Sequence, residues 1–254
     1  MTGTLYLPRD SFVHRLNPLT KISLALACVV AGSTLPTLPM VLGVFVLVLS
    51  TMAASARLFV HFLRACFRVI WPFAVSLTIV QGLFSEGTTV LLDLGPFNLK
   101  AEGLLSAATL TGRLLVGLGA ATLLTLTTRP DLLMHSLVER GLPAQTAYIV
   151  VTALQIIPEF RARAQSIIDA QRSRGLETEG SMLSRLRSLF PLVAPLVLGS
   201  LMDLEERAIA LEARAFTRRG HRTSLLEIPD STIERIARWG FLLLTGAMVV
   251  VRVI

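Results

Sequence analysis

Five apolar runs constrain this chain more than any other feature of its sequence. A helix needs about 20 apolar residues to cross a bilayer, and each run approaches that length once its uncharged neighbours are included. Hydrophobic residues make up 53% of the chain and charged residues 16%, against about 25% charged in a typical soluble domain. The pattern predicts an all-α integral membrane protein with about five transmembrane helices. The runs are Ile22–Ser33, Met40–Ala56, Val69–Phe84, Glu102–Leu126 and Ile236–Ile254.

The distribution of arginine along the chain predicts how these helices are oriented. Cytoplasmic segments of membrane proteins carry an excess of Lys and Arg. Arg9, Arg15 and Lys21 precede the first apolar run, so we expect a cytoplasmic amino terminus. Residues 158–222 form the longest polar stretch, with eleven arginines and eight acidic residues, and should also be cytoplasmic. The predicted regions are a membrane region of four spans, a module of cytoplasmic helices and a final span, at residues 1–141, 142–235 and 236–254.

Four local patterns in the membrane region carry specific expectations. Residues 57–68 hold three arginines, and we expect them to form an amphipathic helix at the interface ahead of the third span. Residues 85–101 combine β-favouring residues with a Gly-Pro turn, which predicts a small outer hairpin or a re-entrant loop. Thr20 is expected to cap the first spanning helix. Gly117 and Ala121, four residues apart, predict a small-residue face for close helix packing.

Arg113 lies inside the fourth apolar run, where a charged side chain is costly. Two interpretations remain open from the sequence. The guanidinium extends to the outer interface or to a partner group within the chain, or it faces a polar seam against another protein.

Between the fourth apolar run and the cytoplasmic module, a short helix is predicted that starts at Thr128 or Asp131 and ends at Gly141. Residues 144–157 are apolar but too few to cross a bilayer, so we expect them in a helix along the inner membrane surface. The helix that follows should end at Gly175, because glycine readily takes the left-handed conformation after a helix.

A second long helix is expected from near Ser181 to near Gly220. Its apolar residues repeat at spacings of four and three, which predicts a coiled-coil-like seam against a neighbouring helix. Asp203 and Arg207 lie off this seam. We therefore expect a coupling module of long crossed helices, each tipped by an arginine. The seam residues are Val197, Leu201, Leu204, Ala208, Leu211 and Ala215.

Two short arginine motifs lie forty residues apart in this module, centred on Arg174 and Arg214. A guanidinium is always charged and pairs with a carboxylate through two hydrogen bonds, which suits an interface that transmits force. Small residues on either side let the backbone of a partner come close. Each motif also has one supporting residue, Gln171 in the first and Glu212 in the second. The candidate site residues are Gln171, Ser173, Arg174, Gly175, Glu212, Ala213, Arg214 and Ala215.

These residues resemble those of the transmembrane T component of energy-coupling factor transporters, which are ABC-type importers of vitamins and metal ions. The resemblance covers nearly the whole chain. Both arginine motifs are usually Ala-Arg-Gly in that family. Here Ser173 replaces the alanine of the first motif, and Ala215 replaces the glycine of the second. Residues 14–21 resemble the family's opening signature, with Asn17 where aspartate is commoner. Other similar positions are Thr128, Arg129, Pro130, Asp131, Leu132, Pro143, Ile157 and Pro158.

The resemblance implies a coupling role within a larger complex in a prokaryotic plasma membrane. It implies no cofactor in this chain, because two ABC ATPase subunits bind ATP and magnesium. The resemblance also implies that grooves on those subunits receive the motifs of Arg174 and Arg214. A separate small membrane subunit, the S component, captures the vitamin or metal ion, and the motifs do not encode which one.

The sequence gives less support to other functions. No Gly-rich phosphate loop, catalytic motif or metal-ligand spacing is present, so neither an enzymatic nor a metal site is predicted. The basic charge belongs to cytoplasmic loops of a membrane protein, so nucleic acid is not expected as a partner. Two alternatives remain open: the permease subunit of a conventional ABC importer, which Glu212-Ala213 and Gly220 loosely match, and an intramembrane enzyme around Arg113.

Overall fold

The structure is a computed structural model that describes residues 9, 11–84, 89–93, 98–175, 182–216, 228 and 230–253. Within this part of the chain, the backbone forms two compact units. The membrane unit contains the described residues of Leu5–Ser136 and Ile228–Ile254, and the two-helix unit contains those of Leu137–Glu227. The cytoplasmic placement of residues 142–235 stays a prediction.

Helices build the membrane unit. A single turn, α1 (Phe12–Arg15), precedes α2 (Pro18–Thr34). The continuous helix Leu38–Ser55 consists of α3 (Leu38–Gly43), a π-helical segment (Val44–Ser50) and α4 (Thr51–Ser55). The remaining long helices are α5 (Phe59–Phe84), α6 (Ala101–Thr127) and α10 (Thr232–Val253).

Three of these helices are long and apolar enough to cross a membrane, namely Leu38–Ser55, α5 and α6. The apolar α2 has only 17 residues. α10 runs parallel to it, since Glu234 accepts a hydrogen bond from the Asn17 amide at 3.2 Å and Arg252 donates to the Ser33 carbonyl. The all-α membrane fold is confirmed, while spans at α2 and α10 stay predictions.

The third span differs from its prediction. Residues 59–68 do not form a separate interfacial helix, because α5 is continuous from Phe59 to Phe84 with Pro72 inside it. A helix of this length spans roughly 39 Å, which exceeds a hydrocarbon core of about 30 Å. Its arginine-bearing first turns can therefore extend beyond the hydrocarbon without a break in the helix.

The segment between α5 and α6 forms a hairpin, as the sequence predicts. Strands β1 (Val90–Asp93) and β2 (Asn98–Lys100) pair antiparallel, with Val90 opposite Lys100. The predicted turn at Gly95-Pro96 lies outside the described residues.

Glycines allow α6 to pack closely against its neighbours. A Cβ on Gly103 would overlap the backbone carbonyl oxygen of Gln81 in α5. A Cβ on Gly119 would lie 3.1 Å from the Leu49 side chain of the π-helical segment. The core of the membrane unit forms at these close approaches.

The predicted packing pair in α6 forms no close helix contact within the described residues. Ala121 is exposed, and a Cβ on Gly117 would meet nothing within 4 Å. Spacing alone identifies small residues at i and i+4 but does not say which side of the helix faces a neighbour. The buried face of α6 instead comprises Gly103, Ala107, Gly112, Val116, Gly119, Ala120, Leu123 and Thr127.

The two-helix unit is built from α8 (Ala144–Ser173) and α9 (Met182–Ala213), which follow the short α7 (Pro130–Val138). Gly141 has φ +104° after α7, as expected for the residue that closes this helix. The predicted membrane-surface helix 144–157 is not separate. It continues through Pro158, because a proline removes only one helical hydrogen bond and need not end the helix.

Candidate functional site

The first arginine motif lies at the carboxyl end of α8. Ser173 is the last helical residue, Arg174 is the C-cap with φ −91° and ψ 8°, and Gly175 has φ +88°. The Gly175 amide donates to the Arg172 carbonyl at 2.9 Å, and the Ser173 hydroxyl donates to the Asp169 carbonyl at 3.0 Å. Glycine at the left-handed position thus ends the helix, as the sequence predicts.

The second motif ends α9 in the same geometry without glycine. Ala215, directly after Arg214, has φ +51°. Its amide donates to the Glu212 carbonyl at 2.8 Å, and the Phe216 amide donates to the Leu211 carbonyl at 3.0 Å. These two hydrogen bonds form a Schellman motif, in which the last carbonyls of a helix are satisfied by the residues that follow it.

The end of α9 at Ala213 corrects the prediction that the helix reaches Gly220, which lies outside the described residues. The prediction assumed that only a glycine would leave the helical conformation. An alanine in the left-handed region costs roughly 1–2 kcal/mol. The capping hydrogen bonds offset this cost, together with a contact between the rings of Phe216 and Tyr148, whose centroids lie 5.2 Å apart.

The two supporting residues act through their main chains. The Gln171 carbonyl accepts the Arg174 amide at 3.0 Å, and the Glu212 carbonyl accepts the Ala215 amide. The capping turns therefore do not depend on the side chains of these two residues.

Both motif guanidiniums belong to exposed residues. Among the residues that the structure describes, neither Arg174 nor Arg214 forms an ion pair with a carboxylate. A cation is favoured at the carboxyl end of a helix by about 0.3–1 kcal/mol, because the helix dipole places partial negative charge there. Both side chains thus remain available to an acidic partner.

Two ion pairs fix the contact between α8 and α9. Arg163 Nη2 lies 2.5 Å from Asp203 Oδ2, and Arg207 Nη2 lies 2.7 Å from Glu159 Oε2. Arg163 follows Glu159 by four residues in α8, whereas its partner Asp203 precedes Arg207, the partner of Glu159, by four residues in α9. The two long helices are therefore antiparallel.

This arrangement places the two arginine motifs far apart. The ring of Phe216, two residues after Arg214, contacts Tyr148 near the start of α8. Arg174 lies at the other end of α8, roughly 40 Å away at 1.5 Å per residue. The structure therefore places Arg174 and Arg214 at opposite ends of the helix pair.

The face of α9 that packs against α8 is not the predicted apolar seam. Leu201 and Leu204 are 56% and 50% exposed, whereas Asp203 and Arg207 are half-buried at the crossing. The charged face of α9 forms the contact because α8 presents complementary charges. A signal for this exists in the sequence: each helix carries opposite charges four residues apart, in the order that pairs when the helices are antiparallel.

The opening segment 14–21 caps and anchors α2. The Asn17 side chain accepts the Leu19 amide at 3.0 Å, so Asn17 is the N-cap. The expectation that Thr20 caps this helix is wrong, and among the residues that the structure describes its buried hydroxyl has no hydrogen-bond partner. Asn17 is the cap because it lies directly before Pro18, the first helical residue, where its side chain can accept a hydrogen bond from a free amide of the first turn.

Lys21 ties this segment to α6. Its side chain is almost fully buried, and Nζ donates to the carbonyl of Thr127 at 2.9 Å and to that of His14 at 3.2 Å. A buried ammonium requires such partners. The sequence assigns Lys21 to membrane orientation, and the structure adds this role in joining the amino-terminal segment to the end of α6.

Comparisons with known proteins show which family the chain resembles. A family model described as "Cobalt transport protein" (CbiQ) matches residues 9–225, which include both arginine motifs. Three similar proteins are each named "Energy-coupling factor transporter transmembrane protein EcfT". That of Heliobacterium modesticaldum is 36% identical over 220 residues, or 83% of this chain and 82% of the relative. That of Listeria innocua is 30% identical over 245 residues (93% and 89%), and that of Staphylococcus aureus 29% over 232 residues (88% and 86%).

Proposed function

The chain belongs to the family of energy-coupling factor transporter transmembrane proteins, and on that premise we propose that it couples two ABC ATPase subunits to a separate substrate-binding membrane subunit. It is a transporter subunit rather than an enzyme. ATP-driven movement of the ATPase subunits is transmitted to the S component, which captures a vitamin or a metal ion. This membership argues against the conventional permease and the intramembrane enzyme.

One observation carries the proposal: two exposed arginines lie at opposite ends of an antiparallel helix pair, each as the residue before a left-handed turn. Two separate sites suit two ATPase subunits, one for each arginine. The two long helices, which the ion pairs align antiparallel, join the two sites, so that movement at one end is passed to the other. We place this unit, with the amino terminus, in the cytoplasm because of its arginine content.

Charge reversal of either arginine tests the docking role. Loss of one partner from a buried charge pair costs about 2–5 kcal/mol, and a glutamate adds repulsion against an acidic groove. We expect Arg174→Glu and Arg214→Glu each to release or uncouple the ATPase subunits while membrane insertion stays normal. Pull-down of the ATPase subunits and substrate uptake by the full complex measure both effects.

The chain offers a matched control in Arg161, which is exposed on α8 and lies outside both motifs. Arg161→Glu changes the net charge by the same amount and should leave pull-down and uptake unchanged. A second control, Arg172→Glu, lies two residues from Arg174 and points to a different side of the helix. Full uptake in Arg174→Glu and Arg214→Glu would reject the docking role. An equal loss in Arg161→Glu would assign the effect to surface charge.

A further inference from the structure

A large cavity lies in the membrane unit between α2, α5, α6 and α10. Its volume is about 960 Å³, near the upper end of the roughly 300–1,000 Å³ that small-molecule sites occupy. Most of its wall is apolar, but Arg113 of α6 and Arg252 of α10 also line it. Apolar wall residues include Val29, Val30, Val69, Phe73 and Leu114.

Both guanidiniums are directed towards the carboxyl end of α2. Arg113 Nη2 donates to the Leu35 carbonyl at 3.1 Å, and Arg252 Nη1 donates to the Ser33 carbonyl. These carbonyls belong to the end of a helix, where backbone acceptors lack helical partners. The two positive charges therefore converge on one side of the cavity.

Capping α2 does not account for all the donors that these side chains carry. A guanidinium has five N–H donors, and each of these two has one described hydrogen bond. Arg113 Nε is buried and has no hydrogen-bond partner in the described part of the chain. Within the described residues neither arginine pairs with a carboxylate, and each has one described acceptor, a backbone carbonyl. A charged side chain inside a membrane segment is costly and marks a binding site for a partner group, and the remaining N–H donors of both arginines suit an anion.

We propose that this cavity binds one anionic phospholipid, with its phosphate between Arg113 and Arg252 and an acyl chain along the apolar wall. Guanidinium groups bind phosphate oxygens through paired hydrogen bonds, and basic pockets between membrane helices recognise lipid headgroups in this way. Gly117 leaves room for the chain, because a side chain at this position would project into open space beside Leu114. A lipid supplies both the missing negative charge and the apolar filling.

The test uses the full chain, delipidated in detergent, and native mass spectrometry with phosphatidylglycerol or phosphatidylcholine of identical acyl chains. The wild type should bind one phosphatidylglycerol about tenfold more tightly than phosphatidylcholine, because two arginines attract the anionic headgroup. R113Q/R252Q should lose this preference. R64Q/R68Q removes the same number of charges from exposed positions on α5 and should keep it.

A second variant tests the apolar part and leaves both arginines in place. G117F places a ring in the cavity and should weaken the binding of both lipids. This variant still tests lipid binding if R113Q/R252Q fails to fold. Equal binding of the two lipids by the wild type, or wild-type retention of phosphatidylglycerol in G117F, would overturn the proposal. So would a complete transporter, purified from membranes, that carries no more phosphatidylglycerol than its R113Q/R252Q counterpart, because another subunit would then fill the cavity.

Discussion

The membrane unit and the two-helix unit are held together by different kinds of contact. In the membrane unit, α5 and α6 approach so closely that Gly103 leaves no space for a side chain beside Gln81. In the two-helix unit, α8 and α9 meet through long charged side chains, and leucines of α9 remain exposed. The comparison shows that close backbone packing joins α5 to α6, whereas charged side chains join α8 to α9.

The same substitution in both units tests this difference most strongly. In Gly103→Ala, the new methyl group meets a backbone carbonyl that cannot move away, so α5 and α6 must separate. Overpacking of this kind costs up to about 3 kcal/mol. In Gly199→Ala, the methyl group lies 3.4 Å from Arg163 Nη1, an ordinary contact with the flexible end of a side chain.

We expect Gly103→Ala to lower the midpoint of unfolding in detergent. Gly199→Ala should be neutral or stabilising by up to about 1 kcal/mol, because alanine favours a helix interior over glycine. Hydrogen exchange measured helix by helix should locate the first effect in α5 and α6. If the two variants had equal stability, the distinction between the units would be wrong.

The sequence predicts the helical elements better than their contacts. Glycine and apolar periodicity predict the end of α8 at Gly175 and the start of α9 near Ser181, because these signals are local. The face of α9 that meets α8 depends on charges in a distant part of the chain, so periodicity alone selects the wrong seam. The separation of Arg174 from Arg214 likewise follows from the antiparallel pairing, which no single motif encodes.

The two arginine-bearing helix ends permit a second test, of intermediate size. Gly175 and Ala215 occupy the same left-handed position, but only the alanine is strained there. We expect Ala215→Gly to stabilise the last turn of α9 by about 1 kcal/mol, and Gly175→Ala to destabilise the end of α8 by a similar amount. Amide exchange in the last turn of each helix measures both changes. Shifts in the same direction would contradict the shared geometry.

The smallest effect is expected at the ion pair that joins α8 to α9. The side chains of Arg163 and Asp203 are 38% and 40% exposed, so water and salt screen their attraction. A double-mutant cycle with Arg163→Ala and Asp203→Ala should give a coupling energy below about 1 kcal/mol that falls further at high salt.

The membrane unit supplies the reference cycle for this pair. Arg238 and Asp230 lie 2.7 Å apart, with side chains only 7% and 24% exposed. Because burial reduces screening, their coupling energy should be larger and should change less with salt. Unfolding of each variant at low and high salt gives both values. Equal coupling in the two cycles would mean that the contact between α8 and α9 is as well shielded from water as the membrane unit. The exposed leucines of α9 would then have to be covered in the isolated chain, against the exposure seen here.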